Sequence, residues 1–159
     1  MAPTTVIADA SALISLRGVD QVSLLPGLFR RVVMPPSAVA EATRRGFTFP
    51  NWLEVRPLGR DPDARVLAAR LGAGESEVLC LGLERPDSWL ILDDADARDL
   101  ARKLGLRMLG TAAVLVEAKR AGLLPLVRPV LDLLLSKGFR LSPKVYDLIL
   151  EAAGEGHSG

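Results

Sequence analysis

Short apolar, β-branched runs alternate along this chain with stretches of helical periodicity. Thr4 to Asp9 reads TTVIAD, a run of strand formers that ends in a carboxylate, and Ser11 to Arg17 then has the spacing of a helix. Asp20 to Phe29 reads as a further helical piece, Arg31 to Met34 (RVVM) as a second strand, and Pro35-Pro36-Ser37 opens a helix through Arg45, with proline suited to a first turn. Trp52 to Leu58 predicts an edge strand and Asp61 to Leu71 a helix. From Gly74 the alternation is regular: helix over Glu75 to Glu84, strand over Trp89 to Leu92, helix over Asp96 to Leu104, strand over Arg107 to Leu109, helix over Thr111 to Ala121. Strands alternating with helices imply a parallel sheet, because parallel neighbours need crossover connections. The expected architecture is a three-layer α/β/α sandwich with a central, mainly parallel sheet. Two extra C-terminal helices, Leu126 to Lys137 and Ser142 to Ala153, form a hairpin that covers the sheet or a partner chain. No linker, repeat or low-complexity segment divides the chain, so one domain is expected over 1–154, with a flexible tail over 155–159.

Composition narrows the chemistry. The 159 residues are 49% hydrophobic and 25% charged, as in one soluble globular domain. There is one histidine, His157 in the tail, and one cysteine, Cys80 in an apolar stretch. A Ser-His-Asp or Cys-His site, a Cys/His zinc site and a disulfide are therefore excluded within this chain. The opening MAPTTVIADA lacks the basic and apolar regions of a signal peptide, and Leu123 to Leu135 is interrupted by Pro125, Arg128, Pro129 and Asp132. A cytoplasmic protein with no membrane association is expected. Carboxylate and hydroxyl chemistry remains, with a hard metal ion.

The acids fall where such chemistry belongs. In open α/β sheets ligands bind outside the carboxyl ends of the strands, which singles out Asp9 after the first strand and Asp93-Asp94 after the Trp89 to Leu92 strand. Helix capping explains one of these aspartates, but not both as readily. Helical spacing places Glu75 on the apolar face with Val78, Leu79, Gly82 and Leu83, whereas Glu77 shares a face with Cys80, Leu81 and Glu84. A first-turn Glu also suits the helix dipole while solvated. Glu41 follows the second strand on its helix, just before Arg44-Arg45. Two carboxylates about 4 Å apart repel by roughly 4 kcal/mol at an effective dielectric near 20, so four or five together need a cation. An all-oxygen donor set suits Mg²⁺ or Mn²⁺, which can activate water against a phosphodiester.

Val6-Ile7-Ala8-Asp9-Ala10-Ser11, Val33-Met34-Pro35-Pro36 followed by Val39 and Glu41, and Leu71-Gly72-Ala73-Gly74-Glu75-Ser76-Glu77 resemble successive motifs of the PIN (PilT N-terminal) domain. Leu92-Asp93-Asp94 with Ala97-Arg98, then Gly110-Thr111 and Ala118-Lys119-Arg120-Ala121-Gly122, are similar to a bacterial and archaeal, VapC-like branch of that family, as are Gly138 to Ser142 and Ala152 to Glu155. The resemblance covers nearly the whole chain. It implies an α/β/α sandwich, a Mg²⁺- or Mn²⁺-dependent endoribonuclease, an RNA substrate, a homodimer and, for a toxin of a toxin-antitoxin pair, a small antitoxin partner. Residue by residue, it makes Asp9 the first metal-site acid, Glu41 the second, Glu75 the third, where commoner VapC-type sequences carry Asp, and Asp94 the fourth, with Asp93 beside it. Glu77 and Asp96 lie close enough in sequence to compete for the last two places.

The resemblance also puts hydroxyls at Ser11 and Thr111 near the acids, able to touch a metal-bound water or a phosphate oxygen. Each is equally suited to N-cap the helix it opens. Arg44, Arg45, Arg98 and Lys119 are candidate phosphate contacts. Two rivals stand beside the nuclease: a catalytically weak PIN-fold module that binds nucleic acid or protein, and a receiver-type phosphoacceptor. The second expects an acid pair after the first strand and a lysine after the last, and neither is in place. Finally, the formal charge of +1 conceals an asymmetry: without Asp9, Glu41, Glu75, Asp93 and Asp94 the chain has 20 bases against 14 acids. A basic body around an acidic pocket is expected.

Overall fold

The computed structural model describes residues 3–156. Its sheet has five parallel strands, β1 (Thr5–Ala8), β2 (Arg31–Met34), β3 (Leu53–Val55), β4 (Trp89–Ile91) and β5 (Met108–Leu109), in the order β3-β2-β1-β4-β5. β1 is therefore central, and Val6, Ile7 and Ala8 are wholly buried, which is why this strand is a continuous apolar run instead of an alternating one. β3 lies at the edge, as its half-exposed residues require.

Nine helices connect and cover the strands among the described residues: α1 (Ala10–Gly18), α2 (Leu24–Leu28), α3 (Pro36–Arg44), α4 (Ala64–Ala68), α5 (Ala73–Glu84), α6 (Ala95–Lys103), α7 (Thr111–Arg120), α8 (Arg128–Ser136) and α9 (Pro143–Ala152). The wholly buried Val78 and Leu79 belong to α5, which packs on β1 and β4 and touches α3, α4 and α6; Val114 and Leu115 belong to α7, which touches β5, α2, α8 and α9. The result is the three-layer α/β/α sandwich, with the C-terminal pair α8 and α9 added to the α7 side.

Two helices are shorter than periodicity predicts. Asp20 turns left-handed (φ 56°), so α2 starts only at Leu24. The Asp63 carboxylate caps α4 by accepting from the Arg65 N–H, and Arg70 turns left-handed (φ 55°) after it, confining the helix between them. At the other end of the chain, Glu155, expected in the tail, is bound into the fold. Its carboxylate accepts from the Val127 and Arg128 N–H groups at 2.7 and 3.0 Å and from Lys119 Nζ at 3.0 Å. It thus caps the first turn of α8, which has no cap from its own neighbours. Residues 157–159 of the expected tail, His157 among them, lie outside the described residues.

Candidate active site

β1 and β4 are neighbours in register, Ala8 opposite Ile91, and the connections leave them toward opposite edges of the sheet. This is the switch point at which an α/β sheet opens a crevice beyond its strand ends. Asp9 is the first residue past β1. Its N–H donates to Ile91 O at 3.4 Å, and its Oδ1 accepts from the Ala12 N–H at 3.0 Å, so the carboxylate N-caps α1. Strand and helix meet without a loop, which leaves Asp9 only 4% exposed. Burial pushes its carboxyl up to about 7 against the opposing pull of the Ala12 N–H, and the charges of Asp93, Glu75 and Glu41 push the same way.

Those three acids reach Asp9 from three other elements. Glu75 stands in the first turn of α5, half-buried, and burial, then the Asp94 charge and a carboxyl–carboxylate hydrogen bond with Asp94, then Glu41, raise it to about 7. Glu41 on α3 comes close because α5 carries glycine at 74. A Cβ there would lie 3.2 Å from both the Ala38 backbone and Glu41 Oε2. Glu41 also faces Arg45 at 3.8 Å, one helical turn on.

The aspartate pair divides its work. Asp93 is held from β5's far end: the Thr111 N–H donates to Oδ1 at 2.9 Å and the Thr111 hydroxyl to Oδ2 at 2.5 Å. Asp94 caps α6 through the Ala97 N–H at 2.9 Å while meeting Glu75. Arg98 Nη1 donates to Leu92 O at 2.8 Å and, with Asp93, crowds Gly110, where a Cβ would sit 3.2 Å from Asp93 Oδ1 and 3.3 Å from that guanidinium.

Other candidates are placed differently. Ser11 does not cap α1, because the helix begins directly after the strand and Asp9 already takes that role; Ser11 is exposed, and its Oγ accepts from Arg45 Nη1 at 3.4 Å. Nor is Thr111 a cap: Gly110 is the N-cap of α7, and the buried Thr111 side chain is committed to Asp93. Glu77 turns to α3, accepting from the Ser37 N–H at 2.7 Å. Arg44 is exposed in the last turn of α3. Lys119 stands eight residues along α7 from Thr111, about 12 Å at 1.5 Å per residue, and pairs with Glu155, so it is remote from the acids. The sequence marks Gly74, Gly110 and Glu155 only as letters of motifs and assigns them no role of their own.

The donor set suits a hard cation. It is all oxygen, and it contains carboxyls that burial and mutual repulsion raise, two of them to about 7. Among the described residues no three of these side chains converge tightly enough to enclose an ion as they stand. Asp93, Glu75 and Glu41 all raise Asp9, Asp94 and Glu41 raise Glu75, and the Glu41 side chain is 41% exposed. Asp9, Asp93 and Asp94 each accept from a backbone N–H, which fixes their carboxylates in place. From Asp93 and Asp94 an open groove of about 810 Å³ runs on past Ser11, Arg45 and Arg98.

The sheet is parallel throughout, and acids from four elements lie at its switch point. A family model described as a PIN domain matches residues 5–155, and the chain belongs to that family. PIN domains are generally nucleases and typically use divalent metals, and such a fold implies binding of nucleic acid. A search of curated proteins finds no match. No helix among the described residues is long and apolar enough to cross a membrane.

Proposed function

We propose that the protein is a Mg²⁺- or Mn²⁺-dependent endoribonuclease, the toxin of a VapBC-like toxin-antitoxin pair. The observation that carries this reading is the environment of Asp9, a buried carboxyl pressed by Asp93, Glu75 and Glu41 at a sheet switch point. Retaining such repulsion without a cationic ligand would only cost stability. Asp9, Glu41, Glu75 and Asp94 would hold the ion, which when bound supplies an activated water and neutralises charge on the phosphodiester. Asp9 orients the site because its second role, capping α1, locks its rotamer. Asp93 and Thr111 set the exit of β4, so that Asp94 faces α5. Arg45 and Arg98, both on the groove, place the RNA backbone beside the acids.

The test is cleavage of mixed structured and single-stranded RNAs in Mg²⁺, Mn²⁺ or EDTA by the native chain and Asp9→Asn. Cleavage that needs the metal and disappears in the variant supports the reading; cleavage in EDTA, or at equal rates in the variant, sinks it. The open arrangement of the acids favours a second reading, a catalytically weak PIN-fold binding module. Metal-bound, folded protein that retains RNA without cutting it would favour that one. The toxin assignment brings two partners, a small antitoxin protein and a second copy of the chain, in the cytoplasm. Exposed Leu133, Val145 and Leu148 on α8 and α9 support an interface there, and sedimentation of the chain alone and with its co-encoded neighbour tests both.

A further inference from the structure

The groove continues beyond the acids, and its character changes. Past Asp93 and Asp94 it is lined by Arg98 and Arg102 of α6 and by Lys137 and Arg140 of the α8–α9 connection, over an apolar floor that includes Ile14 and Phe139. Arg102 pairs with Asp99 and Arg45 with Glu41, but Lys137 and Arg140 make no ion pair among the described residues. Both are exposed.

The connection that presents them is short and pinned at each end. Gly138 takes φ +99° and ends α8, with its N–H donating to Leu135 O at 3.1 Å and the Phe139 N–H donating to Leu134 O at 3.1 Å. Ser142 caps α9 by accepting from the Val145 N–H at 3.2 Å. Phe139 is packed against the core, so the two cations flank a fixed aromatic side chain. The Lys137 stem reaches the C-terminal end of α1, its Cδ 3.9 Å from where a Cβ on Gly18 would be. Two cations without ion pairs, presented by a pinned connection beside a planar apolar group and continuous with an acidic centre, match a ligand with regularly spaced anions and flat faces.

We infer that Lys137 and Arg140 grip the phosphate backbone of a single-stranded RNA segment as it leaves the acid cluster, with Phe139 against its sugars or bases. For its ligand, RNA, this rests on the nuclease reading, and it adds a positioning element outside the acids that does not depend on cleavage. The α8–α9 hairpin is then part of the substrate path as well as a cover for α7.

Binding of a fluorescein-labelled single-stranded RNA is measured in EDTA, so that no cleavage intervenes, for the native chain, for Lys137→Glu/Arg140→Glu, and for Lys144→Glu as an exposed control outside the groove. The expected result is a Kd at least about tenfold weaker for the double variant, with log K against log salt flatter by about 1.4, two contacts at roughly 0.7 each. Circular dichroism and melting temperature should stay native, and Lys144→Glu should bind as native. Lys137→Gln/Arg140→Gln, which removes charge without reversing it, should fall between. Unchanged Kd and salt slope in both double variants, with the native chain binding RNA, overturns the inference and leaves the nuclease reading standing. Loss of binding in the variants of a chain that never cleaves RNA leaves this inference standing and overturns the other. Equal loss of binding to an acidic polypeptide would show a protein-docking face and overturn it as well.

Discussion

Replacing Asp9 with asparagine should stabilise the metal-free protein. An aspartate that titrates near 7 in the fold against 3.8 in the open chain is a native group that favours its proton. Below pH 3.8 both states are protonated and the carboxyl has no effect on stability. Between 3.8 and 7 the folded chain holds a proton that the unfolded chain has released, so stability falls by about 1.4 kcal/mol per pH unit as pH rises. Above 7 the penalty is constant at about 4 kcal/mol. Asparagine removes it while keeping the atom that matters locally, because its Oδ1 still accepts from the Ala12 N–H. Its amide N–H groups find acceptors in the neighbouring carboxylates, at some cost in geometry. A net gain of about 2 to 4 kcal/mol at pH 8 follows, or roughly 5 to 15 °C in melting temperature for a domain of this size. Asp9→Ala loses the cap, about 1 kcal/mol, and leaves a void, so it should be less stable than the asparagine variant.

The assay is urea unfolding in EDTA at intervals from pH 4 to 8. The advantage of Asp9→Asn should grow with pH up to about 7 and then level off. An asparagine variant no more stable than native at pH 8, or an advantage no larger at pH 8 than at pH 5, would refute the reasoning.

Addition of Mg²⁺ or Mn²⁺ should raise the melting temperature of the native chain and not of Asp9→Asn. Calorimetric affinity should weaken as pH drops below about 7, by up to tenfold per pH unit for each proton displaced from Asp9 or Glu75. Thr111→Val should cost about 1.5 to 3 kcal/mol in urea unfolding by stripping a hydrogen bond from the charged Asp93, while Thr111→Ser stays close to native. Glu155→Ala should cost about 2 to 4 kcal/mol by leaving Lys119 and the first N–H groups of α8 without their acceptor, and a double-mutant cycle with Lys119→Met should show coupling of about 1 kcal/mol or more.

What could be read from the sequence was whatever is encoded locally. The TTVIAD run predicts both the central strand and the acid at its end, and helical spacing groups Glu75 with Val78, Leu79 and Gly82, which are buried, although Cys80 and Leu81 on the face of Glu77 are buried as well. The alternation after Gly74 predicts parallel strands because it leaves the chain no shorter way to return. Pairings across the sheet were out of reach. Thr111 and Asp93 are 18 residues apart and meet only because β4 and β5 are neighbours, so a hydroxyl that looks like a helix cap turns out to serve an aspartate instead. Glycine 74 showed as a motif letter, but its reason, the close approach of α3, is a packing fact. Periodicity predicts the C-terminal helices but not where their connection lies, so nothing in the sequence marks Lys137 and Arg140, whereas a motif marks Lys119, which the fold puts at the far end of α7.

The bond from Glu155 to the start of α8 also bears on how the protein is made. A ribosome releases β1 to β5 and α7 before it releases α8 and α9, and the first-turn N–H groups of α8 have no side-chain partner until residue 155 follows. The sheet and its acids can therefore assemble first, while the hairpin that walls the groove is secured last. During synthesis the nascent chain would possess its acidic centre before its means of holding a strand against it.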